Sequence, residues 1–277
     1  MLNLMYITND PAVARIAEQS GVDRIWVDME FIGKSVRQGG MDTVQLHHTI
    51  DDIRAIRAAV SGAEVLVRVN PIHEATADYG DSAWEIPAAI DAGADVVMLP
   101  FFKTAEEVKT FLRLADGRAK TMLLVETPEA AEVIDEILAL DGIDEVHIGL
   151  NDLSLGYGMK FMFQLLADGT VERLCRKCRE KGVPYGFGGI AALGKGMLPA
   201  ERVIREHYRL GSTRAILSRS FCNTNIITDL DEIESVFRTG MAEIRALEAE
   251  CAAHMDYFWS NRRAVEEAVA QICASKE

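Results

Sequence analysis

The sequence predicts a (β/α)8 barrel followed by a C-terminal helical extension. Short apolar runs alternate with helical patterns from one end to the other, and eight such β-then-α units fit into about 220 residues. The full length of 277 residues suits one barrel better than two ordinary domains. An open doubly wound sheet, the competing α/β arrangement, usually has fewer strands.

The first predicted strand is 4–7 (LMYI). A helix follows from about Asp10, which reads as an N-cap with Pro11 at the first helical position. Next come a strand at 24–28 (RIWVD), a long polar loop, a helix over 49–60 and a strand at 64–69 (EVLVRV). A helix over 82–92, a strand at 95–99 (DVVML) and a helix over 104–115 complete the first half. The second half keeps the rhythm: a strand at 121–125, a helix opened by Thr127-Pro128-Glu129, and a strand at 145–148. A helix over 171–181, a strand at 183–187, a helix over 199–210 and a strand at 214–217 finish the barrel. The domain division is therefore 1–221 for the barrel and 222–277 for the extension. In that extension Ile233, Val236, Phe237, Ile244 and Leu247 recur at helical spacing. Tyr257-Phe258-Trp259 then precedes a last helix ending near Cys273. Such an aromatic cluster must bury itself on its own barrel or on a neighbour, and the sequence reading favours the neighbour.

Hydrophobic residues make up 49% of the chain and charged residues 26%, which supports a large core and argues against disorder. With 29 basic against 43 acidic residues the net charge is −14, contrary to general nucleic-acid or anionic-membrane binding. A local arginine can still hold an anionic small molecule. No apolar run approaches the roughly 18 residues of a membrane span. The start, MLNLMYITND, lacks the pattern of a signal peptide. Five cysteines (175, 178, 222, 251, 273), an odd number, read as reduced thiols, so a cytoplasmic location is expected.

In this fold the chemistry sits at the C-terminal ends of the strands. There the sequence presents Asp28 and Glu30, Arg68 and Asn70, Pro100, Glu126, then Gly149, Asn151 and Asp152, then Gly186, Gly188 and Gly189, then Ser218 and Arg219. Carboxylates, an arginine and a glycine-rich loop on one rim suit a metal and an anionic substrate. Glu126 and Asp152 top adjacent strands, which stand about 4.8 Å apart, so they can share one ion. Oxygen-only ligation favours Mg2+ or Mn2+ over zinc. The alternative is that both carboxylates cap the helices that follow. Arg68 ends a buried strand, where a charge requires a partner or a ligand. It either pairs with Asp28 or Glu30 or donates to an enolate oxygen or a substrate carboxylate. His47 and His48, in the long loop after the second strand, are acid–base candidates or merely the approach to the next helix.

Three other motifs carry less. Gly186-Phe-Gly188-Gly-Ile-Ala191 follows a strand as a dinucleotide fingerprint would. However, it is the seventh strand and no acidic residue ends a strand about 20 residues on, so no nucleotide cofactor is expected. Gly33-Lys34-Ser35 resembles the end of a P-loop, but Asp28 stands where the upstream glycine is required. Cys175-x-x-Cys178 has no second ligand pair and reads as a helix face.

With these residues in view, the chain resembles the HpcH/HpaI aldolase and citrate lyase β-subunit family from about residue 10 to 220. The likeness is carried by GVDRIWVDME (21–30), VLVRVNP (65–71), GADVVMLPFFKTAEEV (93–108), LLVETPEA (123–130), GIDEVHIGLNDLSLGYG (142–158) and PYGFGG (184–189). The resemblance implies a class II aldolase, a metal-dependent carbon–carbon lyase acting on pyruvate or oxaloacetate with a carbonyl co-substrate. It implies Glu126 and Asp152 as ligands of Mg2+, Mn2+ or Co2+, and Arg68 at the keto oxygen. Backbone amides around Gly149, Leu150 and Asn151 would hold the carboxylate. It also implies a homo-oligomer, a hexamer, with a C-terminal helix exchanged between barrels. The family's D-x-E-H motif departs here to Asp28-Met-Glu30-Phe31, with Phe31 at the substrate-facing histidine position. Leu124 stands where a glutamine often precedes the glutamate. A phenyl ring cannot shuttle a proton, so His47, His48 or metal-bound water would replace it. The alternatives are a citrate-synthase-like or CoA-ester lyase relative, and a catalytically reduced barrel that binds a keto acid or sugar acid.

Overall fold

The predicted strands pair in chain order, each parallel to the next, and β1 closes on β8. A computed structural model describes residues 1–34 and 48–275. The strands are β1 Asn3–Ile7, β2 Arg24–Asp28, β3 Glu64–Arg68, β4 Val96–Leu99, β5 Lys120–Val125, β6 Glu145–Ile148, β7 Tyr185–Ile190 and β8 Arg214–Leu217. The described helices, labelled in chain order, are α1 Pro11–Gln19, α2 Ile50–Ala59, α3 Ser82–Asp91, α4 Ala105–Ala115, α5 Pro128–Glu132 and α6 Ile134–Ile137. They continue as α7 Leu150–Gly156, α8 Gln164–Ala167, α9 Thr170–Glu180, α10 Ala200–Leu210, α11 Leu230–Ala253 and α12 Phe258–Ala274.

Local chemistry accounts for the starts of several helices. The Asp10 carboxylate accepts from the Ala12 amide at 2.7 Å, ahead of Pro11. Thr49 with Asp52, and Thr104 with Glu107, form reciprocal capping boxes. β7 begins later and runs further than its apolar pattern predicts. Its glycines permit a register shift between Gly186 and Gly189, with Gly188 at φ 52°. The short helices α7 and α8 lie in a segment whose sequence carries no clear period.

Alternation along the strands sorts residues into two sets. Met5, Trp26, Leu66, Val96, Met98, Met122 and Leu124 fill the barrel interior, while a larger shell packs strands against helices. The first residues of five strands close the N-terminal end with a charge network. Glu145 accepts from Arg24 at 2.5 and 2.7 Å and from Arg214 at 2.6 and 2.8 Å. Glu64 joins Arg24 at 2.7 Å to Lys120 at 2.6 Å. With this end sealed by ion pairs, the opposite end is left for a ligand.

Within one chain the extension folds back on its own barrel. α11 packs on α1 and α10, and α12 packs on α10 and α8. Phe237 meets Tyr6 edge-on at 4.8 Å, and Asn261 donates to Glu206 at 2.9 Å. Tyr257 and Phe258 are half-buried there, whereas Trp259 is exposed. Among the described residues, no helix is long and apolar enough to cross a membrane.

Candidate active site

Asp28 and Arg68 end neighbouring strands in direct register, and their side chains meet over the barrel mouth. Arg68 grips Asp28 with two parallel bonds, Nε to Oδ1 and Nη2 to Oδ2, both 2.7 Å, and approaches Glu30 at 3.2 Å. Lys34 donates to the same Asp28 at 3.0 Å. Burial works against charge on Asp28, but Arg68 and Lys34 outweigh it and hold its carboxyl well below the usual carboxylate range. Burial opposes the charge on Arg68 as well. Asp28, Glu30 and Glu126 reverse that and raise its pKa, so the guanidinium stays charged. Its flat face lies over the Trp26 ring at 5.1 Å, as a cation–π pair.

Asn70 fixes the loop that leaves β2. Its Oδ1 accepts from the Phe31 and Ile32 amides at 2.9 Å each, and its Nδ2 donates to the buried Glu85 at 2.7 Å. His48 closes the other side. Its Nδ1 accepts from the Asp28 backbone N–H at 2.9 Å, and its own amide donates to the Asp28 carbonyl at 3.4 Å. Nδ1 therefore holds no proton, and the proton of the neutral ring sits on Nε2. Burial lowers the His48 pKa, which favours this neutral form.

Across the mouth, Glu126 follows β5 and Asp152 lies in the first turn of α7. Glu126 is 3% exposed and Asp152 8%. The Phe101 amide donates to Glu126 Oε1 at 3.1 Å, from a left-handed backbone at φ 48°. Such a conformation in a non-glycine residue costs on the order of 1–3 kcal/mol and here aims an N–H at a site carboxylate. Gly149 faces the same side chain. A Cβ there would lie 2.9 Å from both Cβ and Oε2 of Glu126.

One cavity of about 530 Å3 gathers Arg68, Glu126, Gly149, Leu150, Asn151 and Asp152. Phe161, Met162, Phe163 and Leu198 form its apolar wall. A smaller polar cavity of about 320 Å3, lined by Asp28, Lys34, His48, Asn223 and Asn225 among others, shares Arg68, Ser218 and Arg219 with it. Most sequence-predicted residues thus converge. Glu30 is fully buried beneath Arg68. Phe31 is placed elsewhere: it packs edge-on against Tyr79 at 5.0 Å and lines a separate pocket with His48, Tyr79 and Trp84. The expected amide cradle narrows, because the Gly149 N–H donates to the Val125 carbonyl at 3.0 Å, leaving Leu150 and Asn151 at the start of α7. His47 lies outside the described residues.

Sequence reasoning missed Lys34, Trp26 and His147 as site residues. The i,i+4 spacing of Lys34 from Glu30 was the available signal for the first. For Trp26 and His147 it was their inward phase on strands that end at the site. Cys175 and Cys178 are both buried on α9. Burial raises both thiol pKa values, that of Cys178 to about 12, consistent with an inert helix face. Among the described residues, no three His, Cys, Asp or Glu side chains gather as a ready-made metal cage.

The HpcH/HpaI aldolase/citrate lyase family model matches residues 3–184. The hydroxypyruvate/pyruvate aldolase of Roseovarius nubinhibens is 24% identical over 209 residues, covering 64% of this chain and 73% of its own. The 4-hydroxy-4-methyl-2-oxoglutarate aldolase cghB of Chaetomium globosum is 24% identical over 218 residues, 65% of this chain and 72% of its own. The crystal structure of an HpcH/HpaI aldolase from Desulfitobacterium hafniense DCB-2 shares the fold with a TM-score of 0.59 at 20% identity. That match covers 78% of this chain and 86% of the other.

Proposed function

The chain belongs to the HpcH/HpaI aldolase/citrate lyase family, and from that premise we propose that it is a divalent-metal-dependent aldolase. It makes or breaks a carbon–carbon bond through the enolate of a small 2-keto acid, pyruvate or oxaloacetate, with a carbonyl compound as partner. The observation that carries this reading is one cavity lined by Arg68 on one side and by Glu126 and Asp152 on the other.

The donor set fits a hard cation. Both side chains offer oxygen, Phe101 fixes one oxygen of Glu126, and the missing Cβ of Gly149 makes room for the other. Glu126 and Asp152 would hold Mg2+, Mn2+ or Co2+, with the remaining positions left to substrate oxygens and water. When bound, the ion supplies positive charge that lowers the cost of an enolate. Arg68 contributes the second positive charge. Two of its five N–H bonds go to Asp28, and the guanidinium also stands 3.2 Å from Glu30 as an ion pair, which aims it across the cavity. The Leu150 and Asn151 amides receive the substrate carboxylate. Asp28, Glu30 and Lys34 act by holding Arg68 in place.

The loop after β2 supplies one described proton-transfer group, His48. With Nδ1 occupied by the Asp28 amide, His48 acts as a donor through Nε2, on the side where a carbonyl partner's oxygen gains its proton. Removal of the C3 proton is left to a base other than His48, and the sequence candidate His47 lies outside the described residues. A cytoplasmic homo-oligomer, hexameric by family resemblance, completes the proposal.

The test is exchange of the pyruvate methyl protons in D2O, followed by NMR with Mg2+, Mn2+ or Co2+ and after chelation. Metal-dependent exchange that is lost in Glu126→Ala and Arg68→Ala is the expected result. Exchange that ignores both chelator and these substitutions would overturn the reading.

A further inference from the structure

We propose that the cavity enclosed by α10, α11 and α12 binds a small phosphate-bearing anion through Arg202 and Arg205. It is walled by helices alone, shares no lining residue with the central cavity and does not depend on the aldolase reading.

The cavity has a volume of about 400 Å3, within the range of small-molecule sites. Arg202 and Arg205 line it from α10, His254 and Tyr257 from the link between α11 and α12, and Ser260 from α12. α10 turns Ala200 and Val203 to the central cavity and its two arginines to this one. Asn261 pins α12 to α10: its Nδ2 donates to the Arg202 carbonyl at 3.1 Å and to Glu206 at 2.9 Å.

Both guanidiniums are half-buried, yet among the described residues neither forms an ion pair or a side-chain hydrogen bond. Arg209, one turn further along the same helix, pairs with both Glu206 and Glu172. In a chain with 43 acidic residues against 29 basic, two neighbouring arginines spared any carboxylate need a reason. Residues three apart on a helix are neighbours, so these cations repel unless an anion lies against both. Among the described lining residues the single carboxylate is Glu250, which is exposed and pairs with neither arginine. Arg205 lies over the Tyr257 ring at 5.8 Å. The hydroxyl of that tyrosine is buried against Cys251, a weak acceptor, and lacks a full hydrogen-bond partner.

Two unpaired cations call for a charge near −2, which a phosphoryl group approaches at neutral pH and a lone carboxylate does not. Guanidinium forks match phosphate oxygens. Donors approach from α10 on one side and from the α11–α12 link on another, which suits a tetrahedral group better than a planar one. The volume beyond one phosphoryl group leaves room for a short carbon body.

Calorimetry on the full chain, at constant ionic strength and with chelator present, measures Kd for inorganic phosphate, glycerol 3-phosphate and succinate. Both phosphates are expected to bind, with the dicarboxylate at least about tenfold weaker. Arg202→Gln and Arg205→Gln should each weaken phosphate binding about tenfold, as loss of one charged hydrogen-bond donor implies. Arg68→Ala should leave it unchanged. Circular dichroism checks each fold. Should Arg205→Gln disturb the packing on Tyr257, Arg202→Gln still decides. Tighter binding of glycerol 3-phosphate than of phosphate assigns the site to a phosphorylated metabolite, and equal affinity to the free ion; either upholds it. Phosphate affinity unchanged by both glutamine variants, or lost in Arg68→Ala instead, overturns the proposal. No phosphate binding by the wild type, with a changed oligomeric state of the glutamine variants in gel filtration, assigns the arginines to a subunit contact and overturns it too.

Discussion

Arg68 shows how a single residue can prepare a barrel end as a candidate site. Its charge is nearly buried, with the side chain 11% exposed, and is balanced by the carboxylates of Asp28 and Glu30. Lysine has the same charge but no planar fork, so it cannot keep two parallel bonds to Asp28 while presenting a donor to a substrate oxygen. Arg68→Lys is therefore expected to reduce metal-dependent pyruvate exchange by roughly a hundredfold, the scale of losing one aimed oxyanion donor. The far-UV circular dichroism should stay unchanged. Exchange within a few-fold of wild type would mean that Arg68 only neutralises its neighbours. Phe31 makes the opposite case. Its ring packs on Tyr79 in a pocket that His48 also lines, apart from the central cavity, so a histidine placed there would not line that cavity. Phe31→His is expected to leave aldol turnover within about twofold of wild type, since the substitution lies off the reacting atoms. A tenfold gain in a steady-state aldol assay would show that the family's proton-transfer position had been lost from this loop rather than relocated.

At the scale of elements, the junction of β5, β6 and α7 positions the proposed metal ligands, and Gly149 is its tightest point. A Cβ there would come within 2.9 Å of Glu126 Cβ and Oε2, so the glutamate must move. Gly149→Ala is expected to weaken Mn2+ binding about tenfold by calorimetry, a size typical of disturbing the support of a ligand. Unaltered affinity would show that the carboxylate can shift without cost. Sequence reasoning reaches this junction because β6 alternates Val146 and Ile148 with Glu145 and His147 between turn residues, and its limits Glu145–Ile148 match the predicted strand. It reaches less of β7, where glycines carry no periodic signal and the backbone accepts a register shift. The roles of the ring nitrogens of His48 and His147 were illegible for a different reason. Each is set by one backbone group, the Asp28 amide and the Gly188 carbonyl, brought close only by barrel closure. The Gly149 amide was misassigned on the same account, since its partner, Val125, lies on the neighbouring strand. Residue types at strand ends can be read from a sequence, but hydrogen-bond direction requires the register.

For the whole molecule, the two ends of the barrel divide stability from chemistry, and the sealed end should govern acid unfolding. Glu145 is 3% exposed and takes both Arg24 and Arg214 as bidentate partners. Burial alone would raise its pKa, but the two guanidiniums outweigh that and pull it down to about 2. A carboxylate whose pKa is lower folded than unfolded stabilises the fold fully above its unfolded value of about 4.3. That contribution, on the order of 3 kcal/mol, is lost as pH falls from there toward about 2. The melting temperature should therefore hold roughly steady from neutral pH to about 5 and drop steeply below about 4. Glu145→Gln removes the titrating group but leaves two buried guanidiniums without their counter-charge, a loss of about 3–5 kcal/mol at neutral pH. Its melting curve should start lower and fall less between about pH 5 and pH 3 than the wild type's. If calorimetry across that range gives parallel pH dependences for the two proteins, acid sensitivity does not originate in the sealed end. The carboxylates around Arg68 are then the next groups to substitute, because Asp28 is depressed by the same combination of buried cations.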